Sequence, residues 1–379
     1  MSVPTDGFAQ DRFAAVRAQL QINLDTGVDA GVAVCMTQNG ETVVDLWGGY
    51  ADEARTKPWQ RDTIVNVYSV TKTMTALTAL LVADRGELDF NAPVAKYWPE
   101  FAANGKKDVK VSHLMSHQAG LSGWKEPMKP GDIYDWEKAT SLLAAQAPYW
   151  EPGTACGYHA LTQGYLVGEV VRRITGKSLG TVFREEIAAP LGADFHIGLP
   201  ASEDHRVADL IEPPGGAALS TLPVDGLVAN MQSNPPIDVK ATRTRAWRAA
   251  EIPAGGGTGN ARSVAEIHTI MANGGIGRNG KRFLSEAGVR KALEPQIEGV
   301  DLILGIPVRY GMGFGLPARV PMPSPNTIFW GGYGGHLVII DMDKRTTIAY
   351  TMTKMAATTV GDMRAFGLAM GFWQAIGAI

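Results

Sequence analysis

Ser69-Val70-Thr71-Lys72 places a hydroxyl and an amine three residues apart. If the segment is helical, the two side chains share a face with β-carbons roughly 5–6 Å apart, so the amine reaches the hydroxyl. A lysine in the first helical turn opposes the helix dipole, which favours its neutral form. A neutral lysine beside a serine is a general base beside a nucleophile, the arrangement needed for acyl transfer. From these four residues alone, a capping serine with a snorkelling lysine is the competing reading. Ser122-Gly123-Trp124-Lys125 satisfies the same pattern, but it lies among Gly120, Gly123 and Pro127, where no helix is expected. Ser69 instead follows the β-branched stretch Thr63–Val67 and opens a run whose Met74, Leu77, Leu80 and Leu81 face inward, stopped by Gly86.

Two further segments carry chemistry. Tyr158 sits in the turn-rich loop Glu151–Ala160, feeding a helical pattern over Leu161–Ile174. Trp330-Gly331-Gly332-Tyr333-Gly334-Gly335 precedes a strongly apolar strand; its glycines either admit a ligand close to the backbone or mark a bulge. His336, next to it, reads as a surface residue or an ancillary pocket residue. Other patterns are decoys. Gly176-Lys177-Ser178-Leu179-Gly180 resembles a nucleophile elbow, but a helix precedes it where a strand is required, so Gly176 reads as a helix stop and Ser178 as an N-cap. His113 and His117 have metal-binding spacing without an adjacent Glu or a third ligand, so no metal is expected. Gly255–Gly259 lacks the strand and lysine of a phosphate loop and reads as a flexible loop bordering a cleft.

The elements that must position these groups begin with two hairpins. Val32–Met36 and Thr42–Trp47 flank a tight Asn39-Gly40 turn, and His336–Ile340 and Thr347–Thr351 flank a polar turn at Asp343-Lys344. A last helix is expected over about 362–375, and an N-terminal surface helix carries Phe8, Phe13, Val16 and Leu20 on one face. Helical patterns cover about 73–85, 111–116, 139–147, 161–174 and 179–187, while Pro213–Pro236 looks irregular. Strands at both ends with helices between predict an α+β fold: one antiparallel sheet assembled from both termini, with a mostly helical insertion. The expected division is 1–85 with 240–379 as the α/β lobe and 86–239 as the helical lobe.

Of 379 residues, 45% are hydrophobic and 19% charged, which supplies a large core. A net charge of −3 with scattered Lys and Arg excludes a nucleic-acid footprint, and no apolar stretch is long enough to span a membrane. Cys35 and Cys156 read as reduced structural thiols, and Met1–Gly7 lacks a secretory pattern. Both point to a cytoplasmic address. Nothing in the sequence fixes an oligomeric state.

The order Ser69-x-x-Lys72, Tyr158, then Trp330-Gly331-Gly332 before a late strand resembles the class C β-lactamase-like serine hydrolases, family VIII carboxylesterases above all. The similarity also takes in Val111–His117, Ala119-Gly120-Leu121 and Ile174–Leu179. It implies a β-lactamase/penicillin-binding-protein-like fold with the active site between the lobes. Carried over by position, Ser69 is the nucleophile, Lys72 its base or base partner and Tyr158 the proton relay. Backbone N–H groups of Ser69 and Tyr333 form the oxyanion hole, and Trp330, Gly331, Gly332 and His336 border the substrate. Where β-lactamases carry Lys-Thr-Gly and Tyr-x-Asn, this chain has Trp330-Gly331-Gly332 and Tyr158-His159-Ala160. The missing cation and amide suit a neutral small-molecule ester better than a β-lactam. The expectation is a cofactor-free serine carboxylesterase acting on short-acyl esters, since no lid or extended apolar groove is evident. A β-lactamase or D-Ala-D-Ala peptidase is the enzymatic alternative, and a non-catalytic binding protein of the same fold is the other.

Overall fold

The computed structural model describes residues 2–213, 215, 221–224, 226–318, 322–357 and 362–379. Its main sheet has six antiparallel strands: β1 (Thr5–Ala9), β2 (Gly31–Gln38), β3 (Glu41–Gly49), β4 (Thr327–Gly331), β5 (Leu337–Asp341) and β6 (Thr346–Met352). Their spatial order is β1-β3-β2-β6-β5-β4, so the sheet is assembled from both termini. The N-terminal hairpin turns at Asn39 and Gly40, with φ of 52° and 85°, the left-handed pair that a tight two-residue turn needs.

Strands β2 and β6 are buried on both faces, which is why they read as apolar runs rather than alternating ones. Successive residues of a strand point to opposite faces. Thr347 reaches the Ala265 carbonyl of helix α4 (Ala261–Ala272) at 3.1 Å, whereas Tyr350, of opposite parity, reaches Asp29 at 2.6 Å. The second face lies under helices α1 (Ala14–Asp25) and α5 (Met363–Ala375), joined by Phe13 stacked on Phe372 at 5.0 Å.

Helix α2 (Thr71–Asp84) is buried all round from Thr71 to Val82, not on one face only as its leucine spacing suggests. Its threonines survive there because each hydroxyl has an acceptor: Thr73 on Val70, Thr78 on Met74, and Thr75 on Pro253 at 2.6 Å. Helix α3 (Thr162–Thr175) packs beside it and ends at Gly176, whose φ is 70°. Ser178 then caps the next helix by accepting the Thr181 N–H, so the elbow reading is excluded by a helix on each side.

Two elements depart from expectation. Phe8 lies in strand β1 and is exposed; Phe13, Val16 and Leu20 carry the buried face of the N-terminal helical segment. Within Pro213–Pro236, residues 214, 216–220 and 225 lie outside the described set, but Gly226–Ser233 is a helix rather than irregular chain. It is held from behind by asparagines: Asn230 and Asn234 donate to the Trp124 carbonyl at 2.9 and 2.7 Å. Among the described residues, no helix is long and apolar enough to cross a membrane.

Candidate active site

Ser69 stands in a 3-10 turn (Tyr68–Val70) between the short strand Val65–Asn66 and α2. Tyr68 adopts φ of 44°, a left-handed conformation that a bulky residue tolerates only when its surroundings impose it. The surroundings are a hydrogen-bond clasp. Val67 N–H donates to the Gly257 carbonyl, Gly257 N–H donates to the Thr71 hydroxyl, and that hydroxyl donates to the Tyr68 carbonyl. Asn66 also donates to the Gly255 carbonyl at 3.2 Å. Gly255–Gly259 is therefore a buried brace behind the serine rather than a flexible loop, although Gly255 does border the cleft.

Lys72 is 1% exposed, and its Nζ has three neighbours: Ser69 Oγ at 3.0 Å, the Ala160 carbonyl at 2.7 Å and the Ala254 carbonyl at 2.8 Å. Burial holds its amine well below the ordinary lysine range. A neutral amine has two N–H bonds and one lone pair. The two carbonyls can take only the N–H bonds, which leaves the lone pair for the serine hydroxyl. From the other side, Tyr158 Oη lies 2.6 Å from Ser69 Oγ. Burial pushes the Tyr158 phenol up to about 12, offset in part by hydrogen bonding with Ser69 and Trp330 and reinforced by the Asp301 carboxylate. The site thus joins an amine biased toward its neutral form, a serine hydroxyl and, at neutral pH, a protonated phenol in one chain.

The loop carrying Tyr158 is fixed by two buried histidines. His159 Nε2 accepts the Leu121 N–H at 3.1 Å while its Nδ1 contacts the Gly157 carbonyl, and burial lowers its imidazole to about 4. His117 Nδ1 accepts the His159 N–H, and its ring packs against Tyr158, Tyr310 and Trp330 at 5.0–5.5 Å. His117 lies beyond the end of the Val111–Met115 helix, in a left-handed conformation, so it shares no helix face with His113.

On the far wall, Gly332 N–H donates to the His336 carbonyl at 2.7 Å, closing the β4–β5 turn beside the serine loop. A β-carbon at Gly332 would lie 2.3 Å from the Val67 carbonyl oxygen, so only glycine admits this approach. Trp330, Gly331 and Tyr333 line the same cleft as Ser69 and Tyr158. His336 does not. It is 1% exposed, packed behind Gly332, with burial and the Arg364 cation lowering its imidazole to about 3. Both expectations for it, surface or pocket, give way to a place in the core beneath the turn.

The cleft has a volume of about 280 Å³. Its walls include Met231, Ile237, Val239, Leu304, Ile306 and Val308, with Arg309 among the few polar residues. These wall residues were not identified from sequence. The apolar run Ile303–Val308 is the one sequence signal, and it points only to Leu304, Ile306 and Val308. The second Ser-x-x-Lys does not assemble: Ser122 Oγ is buried without a hydrogen-bond partner among the described residues, and Lys125 donates to the Pro148 carbonyl. Burial also raises both thiols, Cys156 to about 12.

The family model described as Beta-lactamase matches residues 20–369. The chain is 35% identical to the Esterase/beta-lactamase LipL of Mycobacterium tuberculosis over 368 residues, covering 91% of this chain and 82% of that protein. A solved family VIII carboxylesterase superposes with a TM-score of 0.93 at 40% identity, covering 98% of this chain and 100% of that one. A penicillin-binding protein homologue from Caulobacter crescentus superposes with a TM-score of 0.92 at 36% identity, covering 98% and 100%.

Proposed function

The chain belongs to the β-lactamase family, and from that premise we propose that it is a serine carboxylesterase acting on small neutral esters through an acyl-enzyme on Ser69. The observation that carries the reading is the Tyr158–Ser69–Lys72 chain, at 2.6 and 3.0 Å, opening into an apolar cleft. Lys72 accepts the hydroxyl proton as Ser69 Oγ bonds to the ester carbonyl carbon. Backbone N–H groups of Ser69 and Tyr333 take the developing oxyanion, and such preorganised donors are usually the largest electrostatic contribution. The bond to the alcohol oxygen then breaks. Tyr158 gives that oxygen its proton and is reprotonated from Lys72, so the alcohol leaves with the tyrosine proton and the serine proton comes to rest on Tyr158. Water attacks the acyl-enzyme, releases the acid and returns a proton to Ser69.

Trp330 supports the ester preference. It puts an indole where a β-lactam carboxylate would need a cation, and it stacks on His117. The cleft volume lies just under the roughly 300–1,000 Å³ of sites for drug-sized ligands, which supports short acyl groups of roughly two to six carbons. The apolar walls remove the original ground for that limit, the lack of an apolar groove, and leave cleft size as its support. The test is a panel of p-nitrophenyl esters beside a chromogenic cephalosporin, with phosphonate labelling read by mass spectrometry. Butyryl ester should turn over faster than palmitoyl ester and cephalosporin, and Ser69 alone should carry the label. Label on Ser122 or Ser178, or a fully active Ser69→Ala, overturns the reading.

A further inference from the structure

A buried carboxylate that the proposed mechanism does not use stands behind the tyrosine. Asp301 is fully buried, and among the described residues no Lys or Arg forms a salt bridge with it. Its charge is carried by hydrogen bonds instead. Oδ1 accepts the backbone N–H of Tyr158 at 3.0 Å, of Ile303 at 2.9 Å and of Leu304 at 2.9 Å, and Oδ2 accepts the Tyr310 hydroxyl at 3.1 Å. Around it, Leu302 N–H donates to the Cys156 carbonyl and Asp301 N–H to the Ile306 carbonyl, at 2.9 and 3.0 Å. One carboxylate therefore joins two segments about 140 residues apart in the chain: the loop that presents the Tyr158 phenol and the turn that presents Leu304 and Ile306 to the cleft.

We propose that Asp301 is a positioning residue, clamping the Tyr158 main chain to the apolar wall so that the phenol faces both Ser69 and the departing alcohol oxygen. The side chain touches neither substrate nor reacting atoms; it acts through Tyr158. A buried acceptor that gathers three N–H groups from two segments has no cheap substitute, because its loss leaves those donors unsatisfied. A clamp on the acid has a kinetic signature that a general stabilising role lacks. An alkyl ester needs its alkoxide protonated as it leaves, whereas p-nitrophenolate leaves as a stable anion and needs no acid. Loosening Tyr158 thus slows acylation by the first far more than by the second.

This inference rests on the esterase reading, and the experiment separates the two. Ethyl butyrate and p-nitrophenyl butyrate form the same acyl-enzyme, so their kcat/KM values differ only through acylation. In Asp301→Ala, kcat/KM should fall about 100-fold for the ethyl ester, the scale of a displaced general acid, and less than about 10-fold for the p-nitrophenyl ester. Asp301→Asn keeps an acceptor oxygen, with weaker bonds, and should shift the ratio in the same direction by about 5-fold. Hydrogen exchange should rise in peptides covering 156–161 and 301–306 and stay unchanged in α4. An unchanged ester ratio in Asp301→Asn, and in Asp301→Ala where it folds, overturns the clamp. Wild-type protein that hydrolyses neither ester overturns the esterase reading instead, and the exchange measurement then decides the clamp by itself: local acceleration supports it, and unchanged protection refutes it.

Discussion

Replacing Gly332 by alanine is the sharpest test of how the two walls of the site are held together. The added methyl carbon would sit 2.3 Å from the Val67 carbonyl oxygen and 3.0 Å from the His336 β-carbon, against 3.4 Å for the near edge of ordinary contact. Both neighbours belong to backbone or to a buried side chain, so neither can swing away. The walls must part by about 1 Å, and Val67 lies two residues before Ser69, the proposed nucleophile. A misplacement of that size costs on the order of 100-fold in rate, or about 2.7 kcal/mol of barrier. Overpacking of a tight site adds about 1–3 kcal/mol of lost stability. The assay is kcat and KM on p-nitrophenyl butyrate, with thermal melting in parallel. Gly332→Ala should lose its activity mainly in kcat. Gly299→Ala, at a position with nothing within 4 Å, is the control and should match wild type in both measurements. A Gly332→Ala enzyme within about threefold of wild type would refute the close-approach argument, because the proposed cost is some thirty times larger.

Three further outcomes are expected. Because burial depresses the Lys72 amine, kcat/KM should fall as pH drops through that lowered value and should not fall through pH 10, since Tyr158 ionises only at about 12; Lys72→Arg, fixed in its charged form, should be inactive at every pH. Ser178→Ala should leave turnover intact and cost about 1 kcal/mol in urea unfolding through the lost N-cap. His159 and His268 are both held down to about 4 by burial, so below the unfolded value near 6.5 the unfolded chain binds more protons than the folded one. Stability should then fall with decreasing pH, with a slope for each histidine rising from about half of 1.4 kcal/mol per unit at pH 6.5 toward that full value near pH 5, seen as a falling urea midpoint.

The hairpins, the last helix and the fold class were legible because each rests on local chemistry: Asn39-Gly40 for the turn, β-branched runs for the buried strands, and Asp362 as a cap whose side chain accepts the Arg364 N–H. Ser69, Lys72 and Tyr158 were named from spacing and resemblance, and the fold brings them within hydrogen-bonding distance. What stayed hidden depends on partners far away in sequence. Strand β1 contains Asp6 and Gly7, poor strand formers, and exists because β3 is there to pair with; a β-carbon at Gly7 would lie 2.1 Å from the Asp45 carbonyl oxygen. His336 gave no sign of burial because its cover, which includes Gly332, is assembled only in three dimensions. The helix at Gly226–Ser233 has weak amphipathic patterning and takes its place from Asn230 and Asn234 gripping the Trp124 loop. Asp301 looks in sequence like any loop aspartate.

The sheet order has a consequence for the time course of folding. Strand β2 lies between β3 and β6, so the pairing that buries the middle of the sheet joins Thr37 to Thr347, 310 residues later. On the ribosome, the N-terminal hairpin therefore waits with one hydrogen-bonding edge open until nearly the whole chain has been made. Contacts this distant slow the search for the native state, and an unpaired apolar edge is a site for premature association. Expression at reduced synthesis rate or with a holdase chaperone should raise the yield of native enzyme, and a chain truncated before β6 should aggregate rather than persist as a smaller folded unit.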